Sequence, residues 1–209
     1  MDIAVIGIGE VGATLGRRWA EIGHDVTFGV RDKTAPKVTE LLNSISTVAN
    51  ASDIASAIKY AEAVLLAIPY EAAFEVIKRS GDLTGKILID PTTPIGGTDS
   101  LSVGTTSSAA EKIAGHAPTA RVVKAFNMTG YLSMDCPRYD NQIASMFICG
   151  DDPSAKEVVS QLTAELGFEA IDAGGLKSAR YLEPLAMLWI KLAQNPEFGP
   201  EIAFKLLKR

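Results

Sequence analysis

The sequence predicts an α/β fold, a doubly wound and mostly parallel sheet closed by a short helical tail. Three observations carry that expectation. The chain opens as strand, glycine turn, helix and strand within its first thirty-odd residues. Continuous apolar runs such as Ala63-Val64-Leu65-Leu66-Ala67-Ile68 recur between helical patterns, as expected for parallel strands buried on both faces. Strands and helices then alternate almost to the end of the 209 residues.

The opening unit is the most informative. Ile3 to Ile6 is a short apolar strand running into Gly7-Ile8-Gly9-Glu10-Val11-Gly12, after which Ala13 to Ile22 has a helical pattern. Gly23-His24 breaks it, and Asp25 to Val30 is a second strand. This is a βαβ unit with the dinucleotide fingerprint in its first turn. Gly7 permits the tight turn, Gly9 removes a side chain where a pyrophosphate approaches, and Gly12 allows close packing of helix on sheet. The helix start offers free N–H groups and partial positive charge to phosphates.

The end of the second strand bears on the choice of dinucleotide. An NAD site usually carries a carboxylate there for the ribose 2′-hydroxyl, and an NADP site replaces it with neutral and basic groups. Here the order is Gly29-Val30-Arg31-Asp32-Lys33. A guanidinium binds a phosphate dianion through paired hydrogen bonds, and Lys33 and Lys37 add charge. Asp32 is read as turned outward, so the pattern favours NADP over NAD.

Composition sets bounds on the rest. Hydrophobic residues make up 47% and charged residues 22%, the balance of an ordinary globular chain suited to one large domain with at most a small appendage. The formal net charge of −5, without a basic block, argues against nucleic acid and anionic membrane surfaces as partners. Met1-Asp2 leads straight into a strand, no apolar run is long enough to span a bilayer, and a cytoplasmic protein is expected. Cys136 and Cys149 have no metal or redox spacing and are read as free thiols. His24 and His116 alone cannot build a multi-histidine metal site, so no metal is expected.

Further along, a helix is expected over Pro36 to Ser44, a short strand over Ser46 to Ala49, and a helix from Ile54 to Tyr60 behind an Asp53 cap. The fourth strand, Ala63 to Ile68, ends at Pro69-Tyr70, with Pro69 in the first turn of a helix over Glu71 to Lys78. In such sheets ligands sit at the carboxyl ends of strands, beside the reversal of strand order. Ala67, Ile68, Pro69 and Tyr70 are therefore expected near the ribose and nicotinamide.

Lys86 to Asp90 is the fifth strand. The breaker-rich stretch from Pro91 to Ser108 is placed as a loop over the cleft, and Ala109 to Gly115 as a helix. Arg121 to Phe126 is the sixth strand. Asn127, just past its end, either contacts the carboxamide ring or caps a turn. Lys124 faces either the cleft or solvent. Met128 to Gln142 reads as an irregular pocket wall, Ser145 to Gly150 as a seventh strand, Ala155 to Leu166 as a helix, and Phe168 to Ala173 as an eighth strand. The tail, Lys177 to Gln194, carries an apolar stripe of Leu182, Leu185, Leu188, Trp189 and Leu192, suited to the core or to a dimer surface, and a short helix is expected from Pro200.

The chain resembles the NADPH-dependent reductases of the deazaflavin coenzyme F420, and more broadly the NADP oxidoreductases of that fold, which include the cytosolic domain of Steap-type ferric reductases. The resemblance rests on Ile6 to Gly12, Gly29-Val30-Arg31, Ala67 to Tyr70 and Lys124-Ala125-Phe126-Asn127. Cys149 to Asp152, Asp172-Ala173-Gly174 and Ala179 to Leu185 extend it over nearly the whole chain. It implies a Rossmann sheet extended by two strands (residues 1–175), a helical tail (176–209) packing on the domain or on a dimer partner, a homodimer, and NADP(H). In the family a serine that helps hold the 2′-phosphate commonly stands where this chain has Val30. The expected cofactor contacts are Gly7, Ile8, Gly9, Glu10, Val11, Gly12, Val30, Arg31, Lys33, Ala67, Ile68, Pro69, Tyr70 and Asn127.

Hydride transfer to a ring such as coenzyme F420 or a flavin needs no strong protein acid, whereas an isolated carbonyl usually wants a His, Lys or Tyr donor. His116 is expected on the far side from the cleft, so a ring-type acceptor is favoured and no catalytic side chain is assigned. Tyr70, Lys124 and Tyr131 are the candidate donors. The competing readings are a non-catalytic NADP(H)-binding redox sensor and a reductase of a small imine or carbonyl. The latter usually adds a large helical domain, whereas only a short tail follows the eighth strand here, which argues against it unless a dimer partner supplies the wall.

Overall fold

A computed structural model describes residues 1–97, 100–104 and 106–209. Residues 98, 99 and 105 of the loop expected over the cleft lie outside the described residues.

Strand β1 (Asp2–Ile6) is an interior strand of the main sheet. Helix α1 (Glu10–Ile22) follows, ending at Gly23 in the left-handed conformation (φ 108°), where glycine carries no Cβ penalty. Then come β2 (Asp25–Gly29), α2 (Pro36–Ser44), β3 (Ala49–Ser52), α3 (Ile54–Tyr60), β4 (Ala63–Leu66), α4 (Tyr70–Arg79) and β5 (Ile87–Asp90). The second half runs α5 (Ala109–His116), β6 (Arg121–Lys124), α6 (Tyr131–Asp135), β7 (Arg138–Tyr139), β8 (Gln142–Ile143), β9 (Ser145–Gly150), α7 (Pro153–Glu165) and β10 (Glu169–Asp172). A single 3-10 turn, Leu176–Ser178, leads into α8 (Ala179–Ala193).

Eight strands form the main sheet in the order β10-β9-β6-β5-β4-β1-β2-β3. All pairings are parallel except β6 with β9. The six strands from β6 to β3 therefore have the doubly wound order of a Rossmann sheet, with β9 and β10 added beyond β6. Strand order reverses between β1 and β4, so the carboxyl ends of those two strands flank the crevice. The core is built from the strands themselves: every residue of β4 and β5 is buried. Trp19 and Phe28, both fully buried, fill the space between α1 and the sheet.

Several elements differ from the expectation. The third strand is Ala49–Ser52, not Ser46 to Ala49. Its main-chain register against β2 runs Val26 to Ala49 through Gly29 to Ser52, and Val48 is left exposed. Edge pairing, rather than the β-branched composition of Ser46-Thr47-Val48, sets its position. Pro69 caps α4 from outside instead of entering its first turn. The stretch from Met128 to Gln142 is not irregular throughout, since α6 and the β7–β8 hairpin lie within it. Residues 200–209 form no helix. That segment runs beside β9, where Ser145 N–H donates to the Phe204 carbonyl and Leu206 N–H to Ser145 Oγ.

Candidate functional site

The glycine turn nests into the end of β4. Gly7 adopts φ 99°, and a Cβ there would lie 2.3 Å from the Ala67 carbonyl oxygen. A Cβ on Gly12 would lie 2.2 Å from the Gly7 carbonyl oxygen and 2.9 Å from Ala67 Cβ. Both positions thus require glycine for packing within the protein. Gly9 differs: a Cβ there meets nothing within 4 Å, and the residue is exposed. Its bareness serves no internal contact and leaves main chain open to a ligand.

Helix α1 starts at this turn, and no side chain caps it, whereas Asp53, Ser108 and Asp152 cap α3, α5 and α7. The first-turn amides of α1 thus face outward beside open space, an arrangement suited to an anion. A cleft of about 300 Å³ lies there, walled by Ile8, Gly9, Ala13, Lys37, Leu41 and Ser44. A larger hollow of about 490 Å³ is lined by Lys59, Asp82 and Lys86, at the amino ends of the strands and away from the crevice.

At the end of β2, Val30 is buried, its N–H donating to the Ser52 carbonyl, so only its main chain is available to a ligand. Arg31 and Lys33 are exposed, and among the described residues no hydrogen bond or ion pair engages the Arg31 guanidinium. Asp32 is occupied locally: its Oδ1 accepts from Thr34 N–H at 2.8 Å and Thr34 Oγ1 at 2.6 Å. Those bonds hold its carboxyl below the usual carboxylate range. The Arg31 guanidinium is therefore unengaged where the neighbouring carboxylate is engaged.

Across the crevice, Ala67 and Ile68 are half-buried, Pro69 is exposed, and Tyr70 is buried against Phe74, ring centroids 5.1 Å apart. Burial raises the Tyr70 hydroxyl pKa, and the negative charges of Glu183, Glu71 and Asp90 add to the rise. Tyr70 thus stays protonated well beyond neutrality.

Lys124 faces neither cleft nor solvent. It is fully buried, with Nζ 3.0 Å from Asp90 Oδ2 and 3.0 Å from Glu183 Oε1, and it also donates to the Thr92 carbonyl. Glu183 in turn accepts from Ala109 N–H at 2.9 Å and Ala110 N–H at 3.2 Å, at the start of α5. Such a fully bonded cluster is the form in which buried charges persist. It fastens α8 to the carboxyl ends of β5 and β6 and leaves Lys124 unfit as a free proton donor. Asp90 and Glu183 are the residues that sequence reasoning missed. A signal for Glu183 existed: it shares one helix face with Ala179, Leu182 and Ala186, all buried.

Glu183 also borders a cleft of about 240 Å³ between α8 and the loop after β5, with Leu101, Val103, Ser107, Arg180 and Pro184. Arg180 there is engaged by Glu111 through two bonds of 2.8 and 2.6 Å. Asn127, beyond β6, is buried, and its Nδ2 donates to the Leu182 carbonyl at 2.8 Å. Tyr131 opens α6 and is 40% exposed, and His116 closes α5 with Nδ1 beside the Lys112 carbonyl. Of the tail stripe, Leu182 is buried while Leu188 is exposed, so the stripe is only partly covered. Among the described residues no group of His, Cys, Asp and Glu could hold a metal ion, and no helix is long and apolar enough to cross a membrane.

Residues 2–94 match the family described as NADP oxidoreductase, coenzyme F420-dependent. The chain is 32% identical over 219 residues to an F420-dependent NADP reductase of Methanothermobacter marburgensis, covering 92% of each protein. It is 31% identical over 189 residues to Metalloreductase STEAP3 of Rattus norvegicus, matching 89% of this chain but only 37% of that longer protein. A solved protein of Arthrobacter sp. FB24, described as a candidate F420-dependent NADP reductase, superposes over the whole of both chains with a TM-score of 0.90 at 30% identity.

Proposed function

The chain belongs to the coenzyme F420-dependent NADP oxidoreductase family, and from that premise we propose that it moves a hydride between NADP(H) and a ring-type redox acceptor, a deazaflavin of the F420 kind or a flavin. It is an NADP-dependent oxidoreductase. The observation that carries the cofactor reading is the combination at the crevice: bare main chain at Gly9, and an unengaged Arg31 beside an Asp32 tied to Thr34.

The nicotinamide, when bound, supplies the hydride chemistry itself. The chain's own residues bind, orient and exclude water. Gly7 to Gly12 and the α1 amides take the diphosphate. Arg31 and Lys33 take the 2′-phosphate, with Val30 contributing main chain in place of a serine hydroxyl. Ala67, Ile68, Pro69 and Tyr70 border the ribose and nicotinamide, with Asn127 opposite. A ring acceptor is favoured because its reduction needs no strong protein acid. Lys124 is locked between two carboxylates and is not free to act as a proton donor.

We further propose that residues 1–175 form the dinucleotide domain and 176–209 an appendage. The half-covered face of α8, with Leu188 exposed, supports a homodimer. The test is anaerobic NADPH oxidation against a panel of coenzyme F420, free flavins, ferric chelates and small imines or ketones. Turnover with the tricyclic rings is expected to exceed that with imines or ketones. Binding of NADPH without oxidation by any acceptor would overturn the reading in favour of a redox sensor, and preference for imines or ketones would redirect it to that class.

A further inference from the structure

The buried cluster at the carboxyl ends of β5 and β6 holds more negative charge than its fastening role requires. Asp90 and Lys124, the last residues of those strands, stand opposite each other in register, and Glu183 reaches them from α8. The Lys124 ammonium has three hydrogens, and they go to Asp90 Oδ2, Glu183 Oε1 and the Thr92 carbonyl. Asp90 Oδ1 accepts from Thr92 N–H at 2.8 Å. Glu183 Oε2 accepts from Ala109 N–H and Oε1 from Ala110 N–H. All four carboxylate oxygens thus face N–H donors, an arrangement with place for two carboxylates and none for a carboxyl O–H. One ammonium against two carboxylates leaves one negative charge in excess, in a cluster whose three residues are at most 1% exposed. One carboxylate would suffice to neutralise Lys124. The amides opening α5 offset part of the excess, but less than a whole charge.

This excess lies beside the crevice. Leu65 of β4 pairs with Ile89 of β5, so Asp90 stands next to Leu66, the residue before the run from Ala67 to Tyr70. Neighbouring strands are about 4.8 Å apart. A charge buried so near acts through protein rather than through water, where screening is weakest. Tyr70 registers the field: its hydroxyl pKa is raised first by burial, then by the negative charge of Glu183, with Glu71 and Asp90 behind.

The nicotinamide ring is neutral in NADPH and carries a positive charge in NADP⁺. Loss of a hydride, one proton with two electrons, therefore creates a cation in the crevice, while the acceptor ring gains that hydride and then a solvent proton. We propose that the Asp90–Lys124–Glu183 cluster is an electrostatic determinant of the bound cofactor's oxidation state, its excess negative charge favouring NADP⁺ over NADPH and so drawing hydride toward the acceptor. This deepens the cofactor reading above and rests on it. None of the three side chains needs to touch the ligand.

The experiment compares dissociation constants for NADP⁺, NADPH and adenosine 2′,5′-bisphosphate, measured by anaerobic calorimetry. The wild type should bind NADP⁺ more tightly than NADPH. Asp90→Asn and Glu183→Gln each remove one negative charge. Each should shift the ratio of the two constants toward NADPH by roughly three- to tenfold, the order for a unit charge ~10 Å away once partial screening is allowed for. Tenfold corresponds to about 30 mV in the midpoint potential of the bound two-electron couple. The double variant should move the ratio further in the same sense. A purely structural role would weaken both nucleotides alike and leave the ratio where it was. Adenosine 2′,5′-bisphosphate lacks the nicotinamide and should bind wild type and variants alike. A ratio unmoved in both single variants, or moved toward NADP⁺, overturns the proposal. The wild-type comparison needs no variant to fold, and tighter binding of NADPH than of NADP⁺ there overturns it as well. Should none of the three ligands bind the wild type, the cofactor reading falls instead.

Discussion

Replacing Arg31 by alanine isolates the choice between NADP(H) and NAD(H). The guanidinium is exposed, and among the described residues it has no hydrogen bond or ion pair to lose. The substitution should therefore leave the melting temperature within a degree or so, as for surface changes away from structural features. Its effect on NADPH is the loss of a charge-assisted contact to the 2′-phosphate, about 1.5–3 kcal/mol, or roughly 10- to 150-fold in Kd. Exposure to solvent and salt screening at ~0.15 M ionic strength place the result toward the lower end of that range. NADH carries no 2′-phosphate, so its Kd should barely move. Quenching of tryptophan fluorescence or calorimetry with both nucleotides gives the two numbers, and a salt titration gives a third: wild-type NADPH affinity should fall with salt more steeply than that of the variant. Equal weakening of both nucleotides would show that Arg31 supports the site generally, and the basis for NADP preference would be gone. A fall in NADH affinity on replacing Asp32 instead would show its carboxylate facing the ribose after all.

The two glycines of the turn separate binding from folding. Gly9→Val should abolish binding of either nucleotide with an unchanged melting curve, because its Cβ direction is open, and retained affinity would refute the diphosphate placement. Gly12→Ala should instead destabilise the fold, since its Cβ would sit 2.2 Å from the Gly7 carbonyl oxygen; a melting temperature equal to wild type would contradict the packing described. The two thiols should differ in reactivity. Cys136 is exposed, whereas burial pushes the Cys149 thiol up to about 12, so a disulfide reagent should titrate one thiol per native chain and two after denaturation. Two fast thiols in the native protein would be inconsistent with that burial. The Glu111–Arg180 link adds a pH dependence. Hydrogen bonds from Arg180, opposed by desolvation and reinforced by Ser108, hold the Glu111 carboxyl below its ordinary value of 4.5. A depressed folded-state value means the stabilisation is complete above the unfolded value and disappears as pH falls through the folded one. The melting-temperature deficit of Arg180→Met should accordingly be full at pH 7 and shrink on acidification below about 4.5. A deficit that stays constant down to pH 3 would exclude the ion pair as its source.

Much of the architecture was already present in local pattern. The run from Ile3 to Gly12 specified a strand entering a glycine turn, because only those residue types permit the backbone to turn and the helix to seat so closely. The buried runs at Ala63 and Ile87 specified parallel strands, because an element covered on both faces has no polar side to show. The Asp53 cap located the start of α3 to the residue. Where the reading slipped, the deciding interaction was non-local. β3 took its position from main-chain pairing with β2, which composition does not encode. The last ten residues are held along β9 by bonds to Ser145, a partner some sixty positions away, rather than by any helical tendency of their own.

The crevice shows the same division more sharply. Sequence alone determined that a bare turn, a helix start and a basic strand end lie together, since all three fall within one short βαβ unit whose geometry is fixed by its own periodicity. Only the tertiary structure decided the fate of Lys124, Asp90, Glu183 and Asn127. These residues come from two strands, a loop and the tail helix, and they meet only when the sheet is assembled and α8 has closed over its edge. The reason is electrostatic. A buried ammonium is tolerable only with its counter-charges beside it, and the chain supplies them from positions 34 residues before it and 59 after it.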